Sequence, residues 1–315
     1  MKTIAIQLSP EAGSAYFKHA VEVAQAEFTQ CMGDTPITLK TIAGLQFFLA
    51  ELSEDALVQV SRLSFVQGLY EVNEQWLRPL EIEPGFLLHD DFVFGSKYKG
   101  KTNERLTQLL INVGLSHTQV YKGQTAKLLD PMCGRGTTVI WAMRYGLNGF
   151  GIEQDTKALS DIRSNLKKWT KLNHQKHKIL EGSLGAGSKK QQAPFLEFQA
   201  EEHSARFAIG DSRQADVLFP NEKFDLIVSD IPYGVQHVTT EGTRNPLYAI
   251  EESIAAWSNV LKQKSTIVLS FNSKHPRREQ MVSVFEAQGF QAEAFSAPHR
   301  MSESIVRDIV VFKRQ

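Results

Sequence analysis

Only two cysteines, Cys31 and Cys133, occur in 315 residues, far apart and without the spacing of a metal ligand set. A disulfide scaffold and a zinc site are thereby disfavoured, no metal is assigned, and a reducing, cytoplasmic compartment is expected. Net charge is as scarce: 35 lysines and arginines face 35 aspartates and glutamates. No global field draws the chain onto nucleic acid, and any such partner must be held by a local patch. No apolar run approaches the roughly 20 residues that span a bilayer, and residues 1–10 lack the apolar core and cleavage site of an export signal. What is present is 42% hydrophobic content, enough in a chain of this length for one large domain and a smaller one.

The apolar run Phe224-Asp225-Leu226-Ile227-Val228 leads into Ser229-Asp230-Ile231-Pro232-Tyr233-Gly234. A strand that stops at Pro232 turns its last groups outward, because proline fixes φ and offers no donor to continue the ladder. A carboxylate, a rigid turn and an aromatic ring then share a cleft, a set suited to a flat, amine-bearing substrate. The plainer reading is a strand-ending turn with a buried tyrosine.

Upstream, Leu128-Leu129-Asp130-Pro131-Met132-Cys133-Gly134-Arg135-Gly136-Thr137-Thr138 precedes an apolar helix over 139–145 and a strand over 148–152. Gly134 and Gly136 let backbone approach a ligand closely, and the helix start offers unpaired N–H groups. Glu153 ends the next strand, near the roughly 20-residue offset at which a carboxylate meets ribose hydroxyls in doubly wound nucleotide folds. A dinucleotide fingerprint wants a third glycine where Val139 stands, and a phosphate loop wants Gly-Lys-Ser/Thr where Thr137 follows Gly136, so NAD and nucleoside triphosphates are disfavoured. Asp130 would repel phosphates yet attract the sulfonium or ammonium of S-adenosylmethionine.

With both motifs in this order, the chain resembles the class I S-adenosylmethionine-dependent amino-methyltransferases, whose signatures are Asp-Pro-x-Cys-Gly-x-Gly-Thr and (Asp/Asn/Ser)-Pro-Pro-Tyr. It is most similar to the RNA methylase branch containing tRNA guanine-N2 methyltransferases, over about residues 92–312. The resemblance implies a doubly wound, seven-stranded Rossmann-like α/β sheet. It implies that Asp130, Pro131, Cys133, Gly134, Gly136, Glu153 and Asp211 hold the cofactor, with Asp211 receiving the adenine amine unless it merely forms a turn. It also implies that Asp230, Ile231, Pro232 and Tyr233 form the transfer site. The partner implied is RNA, foremost tRNA. One departure stands out: Ile231 replaces the first proline, which keeps the carbonyl but leaves the rigidity of the turn in doubt. DNA N6-adenine or N4-cytosine methylation, methylation of a protein glutamine amide, and a non-catalytic RNA-binding homologue remain open.

Along the chain, residues 3–8, 46–52 and 64–72 read as strands, and 12–29 and 53–62 as helices. They make a small N-terminal α/β domain over 1–85, THUMP-like at most or a packing extension. Acidic and proline-bearing 71–91 reads as a connection to the methyltransferase domain, 86–315. A helix capped by Thr102 should pack on the sheet, and the lysines of 97–101 either meet phosphates or line a solvated loop. Arg163, Lys167, Lys168, Lys171, Lys176, Lys178, Lys189 and Lys190 oppose a single carboxylate, Glu181. They form either a phosphate-neutralising patch or a solvated helix face, with His174 and His177 exposed. Residues 182–192, rich in Gly, Ser, Lys and Gln, predict a flexible insertion over about 173–204. Trp257 is expected in the core. A closing antiparallel pair over 291–295 and 304–312 leaves His299 and Arg300 in an exposed loop. Oligomeric state is not legible.

Overall fold

The computed structural model describes residues 1–11, 19–74, 76–98, 101–118, 125–184, 192–232, 246–300 and 305–314. The N-terminal strands β1 (Lys2–Leu8), β2 (Thr38–Ile42), β3 (Leu45–Leu52), β4 (Val66–Asn73) and β5 (Trp76–Leu80) form an antiparallel sheet in the order β2-β3-β1-β4-β5. Period-two alternation sends Ile4, Ile6 and Leu8 to the face covered by the helices Ala20–Met32 and Glu54–Ser61, where they meet Val23, Phe28 and Val60. Two of these strands escaped the sequence reading. β2 is exposed at every position and shows no alternation. β5 pairs with β4 inside the stretch expected to connect, with Glu71 directly opposite Arg78, so the acidic composition of that stretch belongs to a charge-paired hairpin. The helix expected over 12–29 falls partly outside the described residues and runs on to Met32.

The second sheet contains β6 (Lys127–Asp130), β7 (Asn148–Glu153), β8 (Lys178–Leu184), β9 (Ala193–Ala200), β10 (His203–Ile209), β11 (Phe224–Asp230), β12 (Leu261–Asn272), β13 (Phe290–Ala292) and β15 (Val306–Arg314), with the short β14 (His299–Arg300) paired to β15. Its order is β13-β15-β12-β11-β6-β7-β10-β9-β8. From β12 to β10 the neighbours are parallel, and β15 runs antiparallel to β12. The first seven strands of that order are the doubly wound sheet, with β15 reversed, that the resemblance implied. Helices cover both faces. Leu128, Leu226 and Val228 pack toward Leu109, Val113 and Val139, while Leu129, Ile227 and Leu269 pack toward Ile254, Trp257 and Phe285.

Three local expectations change. The insertion over 173–204 is largely β8 and β9, an antiparallel pair that extends the sheet: Leu196, Phe198 and Ala200 alternate inward, Gly182 and Ser183 of the polar run lie in β8, and 185–191 lie outside the described residues. The cap of helix Glu104–His117 is Asn103, whose side chain accepts from the Arg105 and Leu106 N–H groups at 2.9 and 3.0 Å, not Thr102. His299 is 1% exposed, because β14 lays it against β15 opposite Arg307.

Helix Glu104–His117 joins the two sheets through a buried polar cluster. The Glu27 carboxylate accepts from the Ser64 N–H at 2.9 Å, the Ser64 hydroxyl at 2.5 Å and Asn112 Nδ2 at 2.7 Å. The Tyr145 hydroxyl reaches Asn112 Oδ1 at 2.6 Å, and Gln108 and Asn112 both donate to the Arg62 carbonyl. Burial raises the Glu27 carboxyl above its ordinary value, opposed by these donors. Asn112→Leu keeps the branched shape in a larger side chain but strips one donor each from Glu27 and the Arg62 carbonyl and an acceptor from Tyr145. It should lower the unfolding free energy by about 1–3 kcal/mol, read as a lower urea midpoint at unchanged slope; an unchanged midpoint removes the cluster from the account of how the sheets are joined.

Candidate functional site

Parallel strands end on one edge, and four acids gather there. In register, Asp130 of β6 faces Gly151 of β7, Glu153 faces Ile209 of β10, and Asp211 lies two residues beyond. On the other side of β6, β11 pairs Leu226 with Leu128 and Ile227 with Leu129, so Asp230 ends slightly farther out than Asp130. The Ser229 hydroxyl donates to Asp130 Oδ1 at 2.7 Å and links the two strand ends directly.

The loop 131–136 is pinned from below. Cys133 N–H donates to the Ile152 carbonyl at 2.9 Å and Gly136 N–H to the Cys133 carbonyl at 2.7 Å. Gly134 and Gly136 both have positive φ, at 55° and 82°. Their reasons differ. A Cβ on Gly136 would lie 2.3 Å from the Phe207 ring, so that glycine packs the loop on β10. A Cβ on Gly134 would meet nothing within 4 Å, so that glycine faces open space where a ligand can approach the backbone. Cys133 is buried and its thiol is pushed well above the ordinary value, first by burial and then by Asp130 and Glu153, so it is a packing residue and no nucleophile. Pro131 is buried beside it.

The carboxylates are already engaged. Glu153 accepts the Gly134 N–H on Oε2 and the Asp155 N–H on Oε1, both at 2.9 Å, so it holds the glycine loop as well as facing the edge. Burial would raise the Asp211 carboxyl, but the Arg213 side chain and backbone N–H hold it below the ordinary range. Its Oδ1 accepts from the Arg213 N–H at 2.9 Å and so forms the turn that sequence alone left as an alternative. Each Glu153 oxygen accepts one hydrogen bond and has a second lone pair for a ligand donor, whereas both Asp211 oxygens already accept twice from Arg213, which a ligand donor would have to displace in part. Asp130 is 3% exposed, and burial pushes its carboxyl up to about 6 against donors from Ser229, Thr138 and the Met132 N–H; the negative charge of Asp230 adds to the rise.

Asp230 has a partner that sequence reasoning missed. Arg307 Nη1 of β15 lies 2.7 Å from Asp230 Oδ1, and the two side chains are 5% and 8% exposed. The signal was present: Arg307-Asp308 interrupts the otherwise apolar run 305–312, and charges in a central strand need partners. Ile231 is 3% exposed, with its N–H donating to the Ser270 carbonyl at 2.8 Å. Pro232 is half-buried. Tyr233 lies outside the described residues.

Near the loop, Lys101 donates to the Val93 and Ser96 carbonyls and pairs with Glu104, so it is a half-buried tie and not a phosphate ligand. Lys97 is exposed. On helix Ala158–Leu172 and the chain after it, Lys167, Lys168, Lys171, Lys176 and Lys178 are all exposed, while Arg163 pairs with Glu181 at 3.3 Å; Lys189 and Lys190 lie outside the described residues. Among the described residues no group of acids, histidines and cysteines is placed to hold a metal, and no helix is long and apolar enough to cross a membrane.

A family model described as "RMKL-like, methyltransferase domain" matches residues 103–296. No curated protein matches the sequence. Among solved structures, TrmN from Thermus thermophilus is similar at 13% identity over 89% of this chain and 60% of that one, with a TM-score of 0.45. The chain therefore spans about three fifths of that protein's length. A precorrin-6y C5,15-methyltransferase from Geobacter metallireducens matches at 16% identity over 72% of this chain and 96% of that one, TM-score 0.43. A methyltransferase from Pyrococcus furiosus matches at 12% identity over 71% and 91%, TM-score 0.44. S-adenosyl-L-methionine is the cofactor of such a domain. The edge fits it: the cleared space at Gly134 admits a ligand, and the surrounding acids suit cationic and hydroxyl groups and oppose phosphates.

Because the folded Asp130 carboxyl keeps its proton up to about pH 6 and the unfolded one loses it near pH 4, the folded state binds more protons between these values. This group therefore costs stability as pH rises through that window, by at most about 3 kcal/mol. Asp130→Asn should flatten this part of the ligand-free stability profile, measured by urea unfolding from pH 4 to 7; parallel profiles for the two proteins would refute the assignment.

Proposed function

The chain belongs to the RMKL-like methyltransferase domain family, and from that premise we propose that it methylates an exocyclic amine of a nucleobase, guanine N2 in RNA and foremost in tRNA. One observation carries this reading: the acid beside the glycine loop and the Asp230-Ile231-Pro232 strand end sit on adjacent parallel strands, tied by the Ser229 hydroxyl. A donor held by the first end and a planar acceptor held by the second meet at one edge.

Asp130, Glu153, Asp211 and the backbone of 131–136 would hold the cofactor. When bound, S-adenosyl-L-methionine supplies an electrophilic methyl group. The rest is positioning by the chain's own groups. Asp230 accepts one hydrogen of the amine and the Ile231 carbonyl the other, which leaves the nitrogen lone pair aimed away from β11. The proton shed by the nitrogen after transfer is held at the Asp230 carboxylate. Tyr233 stacks on the base. A paired guanine hides this amine, so the target is single-stranded or flipped out, and stacking offsets part of the unstacking cost. The exposed lysines from Lys167 to Lys178 suit phosphate contacts that fix register without reading bases.

The test is incubation of the full chain with labelled S-adenosylmethionine and undermodified RNA. Label should appear in guanine, and Asp230→Ala should lower kcat by roughly 100-fold or more while affinity for S-adenosylhomocysteine is kept. Label in DNA adenine or cytosine, with none in RNA, would replace this substrate with the DNA alternative. No transfer to either would sink it.

A further inference from the structure

We infer that Arg307 is a positioning residue for methyl transfer, clamping Asp230 and its strand end in place of the proline absent at position 231; this rests on the reading of Asp230 given above. β15 sets Arg307 opposite Asn272 of β12 and His299 of β14, so its side chain enters the core at the end of β11. There Nη1 meets Asp230 Oδ1 at 2.7 Å. The two side chains form a buried ion pair. Asp308, the acid next to Arg307 in sequence, is committed elsewhere: it takes Arg278 at 2.6 Å, the Ser296 hydroxyl at 2.9 Å and the Ala297 N–H at 3.0 Å. Strand alternation thus sends the two charges of Arg307-Asp308 to opposite sides, one to the proposed transfer site and one to the β13–β14 connection.

The second tie is the amide of residue 231. A proline there would fix φ but have no N–H. Ile231 leaves φ freer, yet donates to the Ser270 carbonyl at 2.8 Å and carries the β11–β12 ladder one residue past Asp230. Ring rigidity is exchanged for a backbone bond at 231 and a charge clamp at 230. A buried ion pair is weak evidence for a stability role, since apolar replacements of such pairs are often neutral. A pair placed on an acid that must aim a lone pair has a different use, because a misplacement of about 1 Å costs transfer roughly 100-fold.

The experiment compares Arg307→Met, Arg307→Lys, Ile231→Pro and the Arg307→Met/Ile231→Pro double variant in the full chain. The readouts are S-adenosylhomocysteine affinity by calorimetry, amide exchange of Ile231 by NMR in ligand-free protein, and methyl transfer to undermodified RNA. Arg307→Met should speed exchange at Ile231 and lower kcat by roughly 100-fold, with cofactor affinity kept. Arg307→Lys, which preserves the charge if Arg307→Met does not fold, should recover part of both. The double variant should lose less activity than the two single losses multiplied, since a proline restores rigidity at the turn. Unchanged Ile231 exchange in both Arg307 variants, or wild-type kcat in both, would overturn the inference. If the wild type transfers no methyl to RNA, the substrate reading falls, and the exchange rates alone decide whether the clamp exists.

Discussion

The parallel pairing of β6 with β11 is the constraint from which the rest follows. Parallel strands deliver their carboxyl ends to one edge, so residues distant in sequence converge without any loop having to carry them. Asp130 and Ser229 are linked at 2.7 Å across that pairing, and the neighbouring strands bring Glu153 and Asp211 on one side and Ser270 and Arg307 on the other. A slip of one residue between β6 and β11 would turn Leu226 and Val228 out of the core they share with Val113 and Val139, so hydrophobic alternation fixes the site's register.

The sequence was most legible where a motif and a periodicity coincided. Residues 128–138 and 224–232 announced a strand end followed by special backbone, and the strands and glycine turns stand there. It was least legible where charge concealed burial. Glu71 and Arg78 neutralise each other across a hairpin and looked like linker. Lys101 is spent on the Val93 and Ser96 carbonyls, where the sequence left phosphate contact or a solvated loop as the alternatives. His299 is buried by the β14–β15 pairing, which no local pattern encodes, and Arg307 showed in its apolar run only that a partner was needed, not which one. In each case the deciding partner is chosen by strand pairing or chain folding, which the composition and periodicity of the segment itself do not encode.

Two absent motif residues turn out to be supplied by other means. The third glycine of a dinucleotide loop allows close packing of helix on strand, and here Val139 holds its place. The close approach is made from the strand side: a Cβ on Gly149 would lie 2.5 Å from the Val139 carbonyl, and one on Gly151 2.6 Å from the Cys133 sulfur. The small residues have moved from helix to strand while the packing requirement is met. At position 231 a missing ring is met by an added backbone bond to Ser270. Motif letters record one solution to a geometric demand; the demand itself is what the fold keeps.

The electrostatics of the edge then bear on what it can bind. Asp130 is buried with the negative charge of Asp230 acting on it, and its carboxyl is pushed up to about 6 with no neighbouring cation among the causes. At neutral pH it is largely ionised at an energetic cost that Ser229, Thr138 and the Met132 N–H only partly offset. Arg307 and Arg213 answer Asp230 and Asp211, but both lie to the sides of β6 and β7. Among the described residues the centre of the edge is left with excess negative charge in a low-dielectric setting, where a cationic ligand gains most and an anionic one loses most. A sulfonium with an adjacent ammonium satisfies that condition and a pyrophosphate violates it, so the choice of donor follows from Asp130 being buried as well as from the spacing of the glycines around it.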